Sequence, residues 1–269
     1  MKYRESVRIA FLGGIAAVAA SLCCAPLFAQ TPSTAAVPSD PGSLAGIWQS
    51  GGVWQTSITN NIGREPLGSL RTPERDRVLK TIDGKWPPLQ PWAAELLEKR
   101  IGLSQQGDPY LTNTSMCLPG VPVMMLGGPY PIQILETPGL VTILLEEQNH
   151  FRLVHMNGKH PEDPDPTFLG HSVGHWEGGA LVVDTIGLTE RTSIDRVGIP
   201  HSADLRLIER FRRTGKDTLE LIITLDDPKT FTSKWDTRVN YRTPAPGVEM
   251  TEYICENNRD IPDGGATSR

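Results

Sequence analysis

The chain has 269 residues, a formal charge of −5 and an apolar fraction of 38%, which is enough for one large hydrophobic core or two small ones. An acidic balance argues against nucleic acid or an anionic membrane as partner, because both are held mainly through positive charge. Beyond the first thirty residues the balance is more acidic still, since Lys2, Arg4 and Arg8 there stand against Glu5 alone.

The amino end reads as an export signal. A basic start is followed by an Ala-rich apolar run from Ile9 to about Phe28, and the run ends in small and apolar residues that suit cleavage after Ala29. The residues before Cys23 and Cys24, Ala20-Ser21-Leu22, make a poor lipidation box. Residues 1–29 are therefore expected to be a signal peptide and the product to be periplasmic or secreted. Residues 30–44 are rich in Pro, Ser, Ala and Thr and are expected to form a flexible leader. A single domain over 45–260 and a flexible tail over 261–269 complete the expected organisation. No second run of about 20 apolar residues follows, so no membrane span is expected after cleavage. With the signal removed, Cys117 and Cys255 remain; in an oxidising compartment they are expected to be bonded, two buried free thiols being the alternative.

A short strand is predicted near Gly46–Trp54. Residues 72–102 carry helical spacing in PERDRVLKTI, a proline-rich break at 87–91 and a second helical piece at Trp92–Arg100 that Gly102 can close. PVMMLGG and PYPIQILE read as turn-and-strand pieces, Leu140–Glu146 as an apolar strand, and Phe151–Met156 as a strand ending in the hairpin signal Asn157-Gly158. Residues 160–179 read as a long irregular connection, with Trp176 to Gly179 as a hairpin turn. Strands then follow at Ala180–Thr185, Asp204–Arg213, Thr218–Leu225, Thr230–Tyr241 and Glu249–Glu256. Their connections are too short for intervening helices. The expected fold is mainly β: a closed antiparallel, lipocalin-like barrel with a small helical insertion near 72–102.

Alternation places Leu205, Leu207, Glu209 and Phe211 on one face, and Leu219, Leu221, Ile223 and Leu225 on one face of the next strand. Glu209 is the odd member. A carboxylate in an apolar row either lines a polar cavity or forms a structural ion pair, since burying it unpaired is costly.

No G-x-S-x-G, H-E-x-x-H, dinucleotide fingerprint, phosphate loop or paired C-x-x-C occurs. No cofactor is expected. All six histidines fall between positions 150 and 201, interleaved with aspartates. Imidazole and carboxylate together suit proton transfer near neutral pH or metal binding; the spacing fits no metal motif, and no metal ligand is assigned. The acid–base candidates are His171, Asp195, His201 and Glu209, with His155 and Asp184 from strands near the same rim. Trp48, Trp54, Trp176 and Trp235 are candidates to stack on an apolar or aromatic ligand, core packing being the alternative for each.

The motifs GHSVGHWEG (170–178), LVVDT (181–185), D-x-x-G-x-P-H-S (195–202), ERF (209–211), DDP (226–228) and Tyr253-Ile254-Cys255-Glu256 resemble those of a large group of exported bacterial proteins. The resemblance implies a closed antiparallel barrel of the lipocalin-like kind around one small ligand. It brings no established chemistry, and fold analogy alone does not supply a reaction. The leading expectation is an exported barrel acting on a small, partly apolar or aromatic molecule as a cofactor-independent lyase, isomerase or hydratase. The alternatives are a non-catalytic small-molecule binding or carrier protein, an envelope interaction module with a filled barrel core, and a metal-dependent hydrolase. The sequence leaves the oligomeric state open.

Overall fold

The computed structural model describes residues 43–50, 74–106 and 116–255. Nine strands form one closed barrel in chain order: β1 (Gly46–Ser50), β2 (Ile132–Thr137), β3 (Leu140–Leu145), β4 (His150–Met156), β5 (His171–Glu177), β6 (Ala180–Ile186), β7 (Arg206–Gly215), β8 (Thr218–Asp226) and β9 (Trp235–Arg242). The short β1 closes the ring by pairing with β2 on one side and β9 on the other, so no strand edge is left open. Among the described residues three helices precede β2: α1 (Glu74–Arg77), α2 (Pro91–Gln105) and α3 (Pro122–Leu126). No helix among the described residues is long and apolar enough to cross a membrane. The expected signal peptide and tail lie outside the described residues, as does Trp54. Ser43 and Leu44, at the end of the expected leader, are buried.

Strict alternation makes the barrel. Buried and partly exposed residues alternate along the whole of β3 and β8, the mark of a strand with one face on the core. Leu207, Glu209 and Phe211 of β7 point inward beside Leu219, Leu221, Ile223 and Leu225 of β8, and all are within 1% of fully buried. Trp48, Ile134, Ile143, Val154, Leu181, Val183, Val239 and Tyr241 join them, each no more than 2% exposed. A side chain lining a solvent-sized cavity keeps some accessible surface. The near-zero exposure of these residues therefore means a packed interior along their length.

One strand pair departs from the antiparallel expectation: β4 and β5 run parallel, with Val154 opposite Ser172 and Met156 opposite Gly174. Asn157-Gly158 consequently does not turn a hairpin. Asn157 takes a left-handed φ of 56° and donates its N–H to the Gly174 carbonyl at 2.7 Å. Residues 158–170 then cross the outside of the barrel to begin β5 at the same end as β4. A parallel neighbour requires such a crossover. The expected loop over 160–179 is thus a crossover followed by a full strand. That strand is hard to read because its inward positions are Ser172 and Gly174. Gly174 is needed there: a Cβ would lie 2.7 Å from Val154 Cγ1.

Other expectations shift for local reasons. PVMML is the helix α3, entered through extended Val121 with Pro122 at its first turn, and all five of its residues are buried, so the segment carries no helical period to detect. α2 runs past Gly102 to Gln105 and seats Ala93, Leu97 and Ile101, four residues apart, in the core. Of the described part of PERDRVLKTI, residues 74–82, only Glu74–Arg77 is helical. The segment after it is bound to the approach to β9 by backbone bonds from Ile82 to Asp236, Gln90 to Thr230 and Thr232 to Pro88. The expected strand at Glu249–Glu256 is not one over its described part, Glu249–Cys255. Residues 251–255 instead form an irregular strap, with Thr251 N–H on Glu146 and the Tyr253 backbone clamped by the Asn149 side chain at 2.6 and 3.1 Å. Cys255 is disulfide-bonded to Cys117, 138 positions away.

Candidate functional site

The expected acid–base residues divide among three separate environments. The first is the barrel interior. Glu209 of β7 meets Arg152 of β4 in a two-pronged ion pair, with Nη1 to Oε1 at 2.8 Å and Nη2 on Oε2. The side chains are 2% and 0% exposed. Ser172 of β5 accepts from Arg152 Nε at 3.0 Å, and Thr185 of β6 lies within bonding distance of Ser172, Arg152 and Glu209. Four successive strands thus contribute one closed polar network inside an apolar core. Each charge has its counter-charge, as buried charges require. The network's charge also reaches Tyr241, whose phenol is pushed well above its ordinary value by burial and then by Glu209. Of the two roles expected for Glu209, the ion pair is the one realised. Arg152 was not flagged in the sequence, yet it gives the same signal as Glu209: it falls in register with inward Val154 on an apolar strand.

The second environment is the buried loop between β6 and β7. Asp195 is an organiser of backbone. Its Oδ1 accepts N–H bonds from Val197, Gly198 and Ile199 at 3.2, 2.8 and 2.9 Å, and its Oδ2 accepts from Leu79 at 2.9 Å. Burial pushes its carboxyl pKa up against the pull of these four donors. His201 bridges Thr192 Oγ1 at 2.5 Å and the Ser202 carbonyl at 2.9 Å, and burial holds its pKa below the ordinary histidine value. A proton on Nδ1 serves the Ser202 carbonyl, and Nε2 faces the Thr192 hydroxyl, which also lies 3.0 Å from the Thr189 carbonyl. Ser202 is in turn held by Asp227 through its N–H and hydroxyl, each at 2.7 Å. Glu209, Asp195 and His201 share no partner residue, so the expected convergence on one cavity does not occur through these contacts.

The third environment is on the outside, where the crossover lies against β5 and β6. Here the structure does bring expected residues together. His171 opens β5, Asp184 faces outward from β6, and His155 faces outward from β4 beside the parallel pair. The His155 and His171 rings stack with centroids 5.2 Å apart and planes within 10°. His160, one of the six histidines but not among the acid–base candidates, enters from the crossover. Its Nδ1 lies 2.9 Å from Nδ1 of His171, and its Nε2 lies 3.6 Å from Asp184 Oδ2. Arg206 of β7 grips the Asp184 carboxylate with both Nε, at 2.8 Å, and Nη2. The His171 pKa is held low by burial and by its two histidine neighbours. Two facing Nδ1 atoms must be one donor and one acceptor. The pair therefore presents an acid and a base at once, with a carboxylate behind one ring.

No protein-family model, curated protein or solved structure matches the chain.

The tryptophans are deployed differently from one another. Trp48 is buried, donates to the Leu44 carbonyl at 2.8 Å and lies under the Arg213 guanidinium. Trp235 is buried edge-on to Phe231. Both serve the core, whereas Trp176, at the end of β5, is 42% exposed. Among the described residues no three His, Cys, Asp or Glu side chains converge as a metal site. A surface groove of about 420 Å³ on the outer face of β5–β8 includes Arg210, Arg212, Glu177 and Glu220, but these side chains pair with one another.

A further group, marked by no motif or alternation, lies where the β3–β4 connection meets the strap. Glu147 is buried, with its pKa raised by desolvation against the pull of Arg196 at 2.5 Å. Tyr130 beside it is pushed up to about 12 by burial and by Tyr253. The connection is strained, with Gln148 and Asn149 both left-handed.

Proposed function

We propose that this chain is an exported protein that acts on a small molecule by proton transfer at the outer histidine site, as a cofactor-independent lyase or isomerase. In this reading His160 and His171 are the acid–base pair, Asp184 orients His160, Arg206 holds Asp184, and His155 forms a wall of the site. The observation that carries it is the 2.9 Å approach of the two Nδ1 atoms with a carboxylate behind one ring. With the two Nδ1 atoms hydrogen-bonded to each other, one ring is left with a basic Nε2 and the other with an Nε2–H, the two proton functions that abstraction at one carbon and delivery at another require. The interior carboxylate is a poorer candidate, because Glu209 is already matched by Arg152. Export is supported by the disulfide, a bond that persists in oxidising compartments, and by the basic and apolar amino end.

The test is solvent-proton exchange. A panel of hydroxy acids and aryl ketones is incubated with the protein in heavy water and followed by proton NMR. The expected result is deuterium incorporation at one carbon of at least one compound, lost about a hundredfold or more in both H160Q and H171Q. Exchange that survives in both variants, or no exchange across the panel, overturns the reading.

The second reading is a non-catalytic small-molecule binding protein. The observation favouring it is the same interior pairing of Glu209 with a fixed arginine, which leaves no spare proton donor within the barrel. Compounds that bind, by line broadening in the same spectra, without exchanging a proton would select it.

A further inference from the structure

The crossover is fastened at both ends by backbone and in the middle by a histidine. Asn157 N–H binds the Gly174 carbonyl at one end. At the other end Thr167 N–H binds the Gly187 carbonyl at 2.9 Å and the Thr167 carbonyl receives Thr189 N–H at 2.9 Å. Pro164 packs over Gly187, where a Cβ would come within 3.1 Å of the proline ring. Between these anchors the side-chain tie that the structure records is His160, against His171 and Asp184. The rest of the span carries Lys159, Glu162, Asp163 and Asp165, all of them exposed.

We infer that residues 158–166 form an acid-released latch over the outer face of β5 and β6, held by the His160–His171 pair. The physical reason is the count of protons that the 2.9 Å contact tolerates. With one Nδ1 proton between the two rings, one ring donates and the other accepts. A second proton puts N–H against N–H and turns the tie into a repulsion between two cations.

The groups that face the pair come from every neighbouring element. They are His155 from β4, stacked on His171, Asp184 from β6, and Arg206 from β7. Asp184 is the one carboxylate among them, and Arg206 already engages it. Doubly protonated, the cluster sets His160, His171 and Arg206 against a single Asp184, with His155 as a further site of charge. The backbone anchors at Asn157 and Thr167 involve no titrating group, so they remain as hinges while the middle leaves. The inference concerns the segment covering the site and holds whether or not the site is catalytic.

Amide hydrogen exchange on the full chain tests it, measured at about pH 7.5 and about pH 5, on either side of the ordinary histidine value, and corrected for intrinsic exchange rates. Protection in 158–166 is expected to fall about tenfold or more in acid, while amides of β8 and β9 keep theirs. In H171Q the pH dependence of 158–166 should vanish, and in H201Q, which alters a buried histidine elsewhere, it should persist. Acid-insensitive protection in the wild type overturns the latch. So does acid sensitivity that survives in H171Q, and so does a loss of protection shared equally by β8 and β9. Because no activity is read, failure of the catalytic reading leaves this outcome untouched.

Discussion

Arg152 and Glu209 stand on β4 and β7, with two strands between them, and meet inside the barrel as a fully desolvated two-pronged pair. Each is the neutraliser of the other, so removing one leaves the other charged and buried. Glu209→Ala should therefore lower unfolding stability by about 3–5 kcal/mol, and Arg152→Met by a similar amount. Replacing both at once, by Met and Leu, should recover much of the loss, because an apolar pair has no desolvation penalty to offset. Urea unfolding of the two single variants and the double variant reads this directly. If the double variant loses the sum of the single losses, the two residues do not act as a pair.

The same pair shows how far the sequence could be read. Short apolar runs between turns located β3 and β6, and period-two alternation in β7 and β8 put Glu209 on the inward face, because a strand with one buried face writes that face into every second residue. What alternation could not supply was the partner. Arg152 belongs to a strand more than fifty positions away in the chain, and its choice depends on how β4, β5, β6 and β7 stack. The histidine site was half legible for the same reason. His155, His171 and Asp184 were flagged by residue type, but the crossover that carries His160 to them exists only because β4 and β5 are parallel. Asp195 and His201 were flagged too, yet their partners are backbone N–H and carbonyl groups, which no side-chain pattern reports.

Gly174 offers a test of the parallel pair itself. A side chain at this position meets Val154 Cγ1 at 2.7 Å, Met156 Sδ at 3.2 Å and the Val182 carbonyl at 3.3 Å. Gly174→Ala should cost about 1–3 kcal/mol, the usual range for overpacking a tight interior. Trimming the nearest contact relieves it, so Val154→Ala in the Gly174→Ala background should cost less than Val154→Ala does alone. In an antiparallel hairpin through Asn157-Gly158 the two positions would not be neighbours, and the two substitutions would simply add. Thermal melts of the four proteins in this cycle distinguish the two arrangements.

Protonation of His201 opposes the folded state in acid. Burial lowers the pKa of His201 in the folded protein, and His150 and His171 are lowered as well. The unfolded chain, with histidines near about 6.5, then binds more protons than the folded one through this window. Stability is present in full above that value and is lost as pH falls through it towards the lowered folded values. Two buried carboxyls act oppositely: the folded-state pKa values of Asp195 and Glu147 are raised, so each favours the folded state as pH falls from its raised value towards about 4. The wild-type profile mixes these terms, and the comparison with His201→Asn separates them. Asparagine can still donate to the Ser202 carbonyl and take no proton. The stability difference, wild type minus variant, should therefore shrink as pH falls from about 7 to about 5. Urea midpoints at four or five pH values suffice to measure it. A difference that stays constant, or grows in acid, would show that His201 is not held neutral by its surroundings.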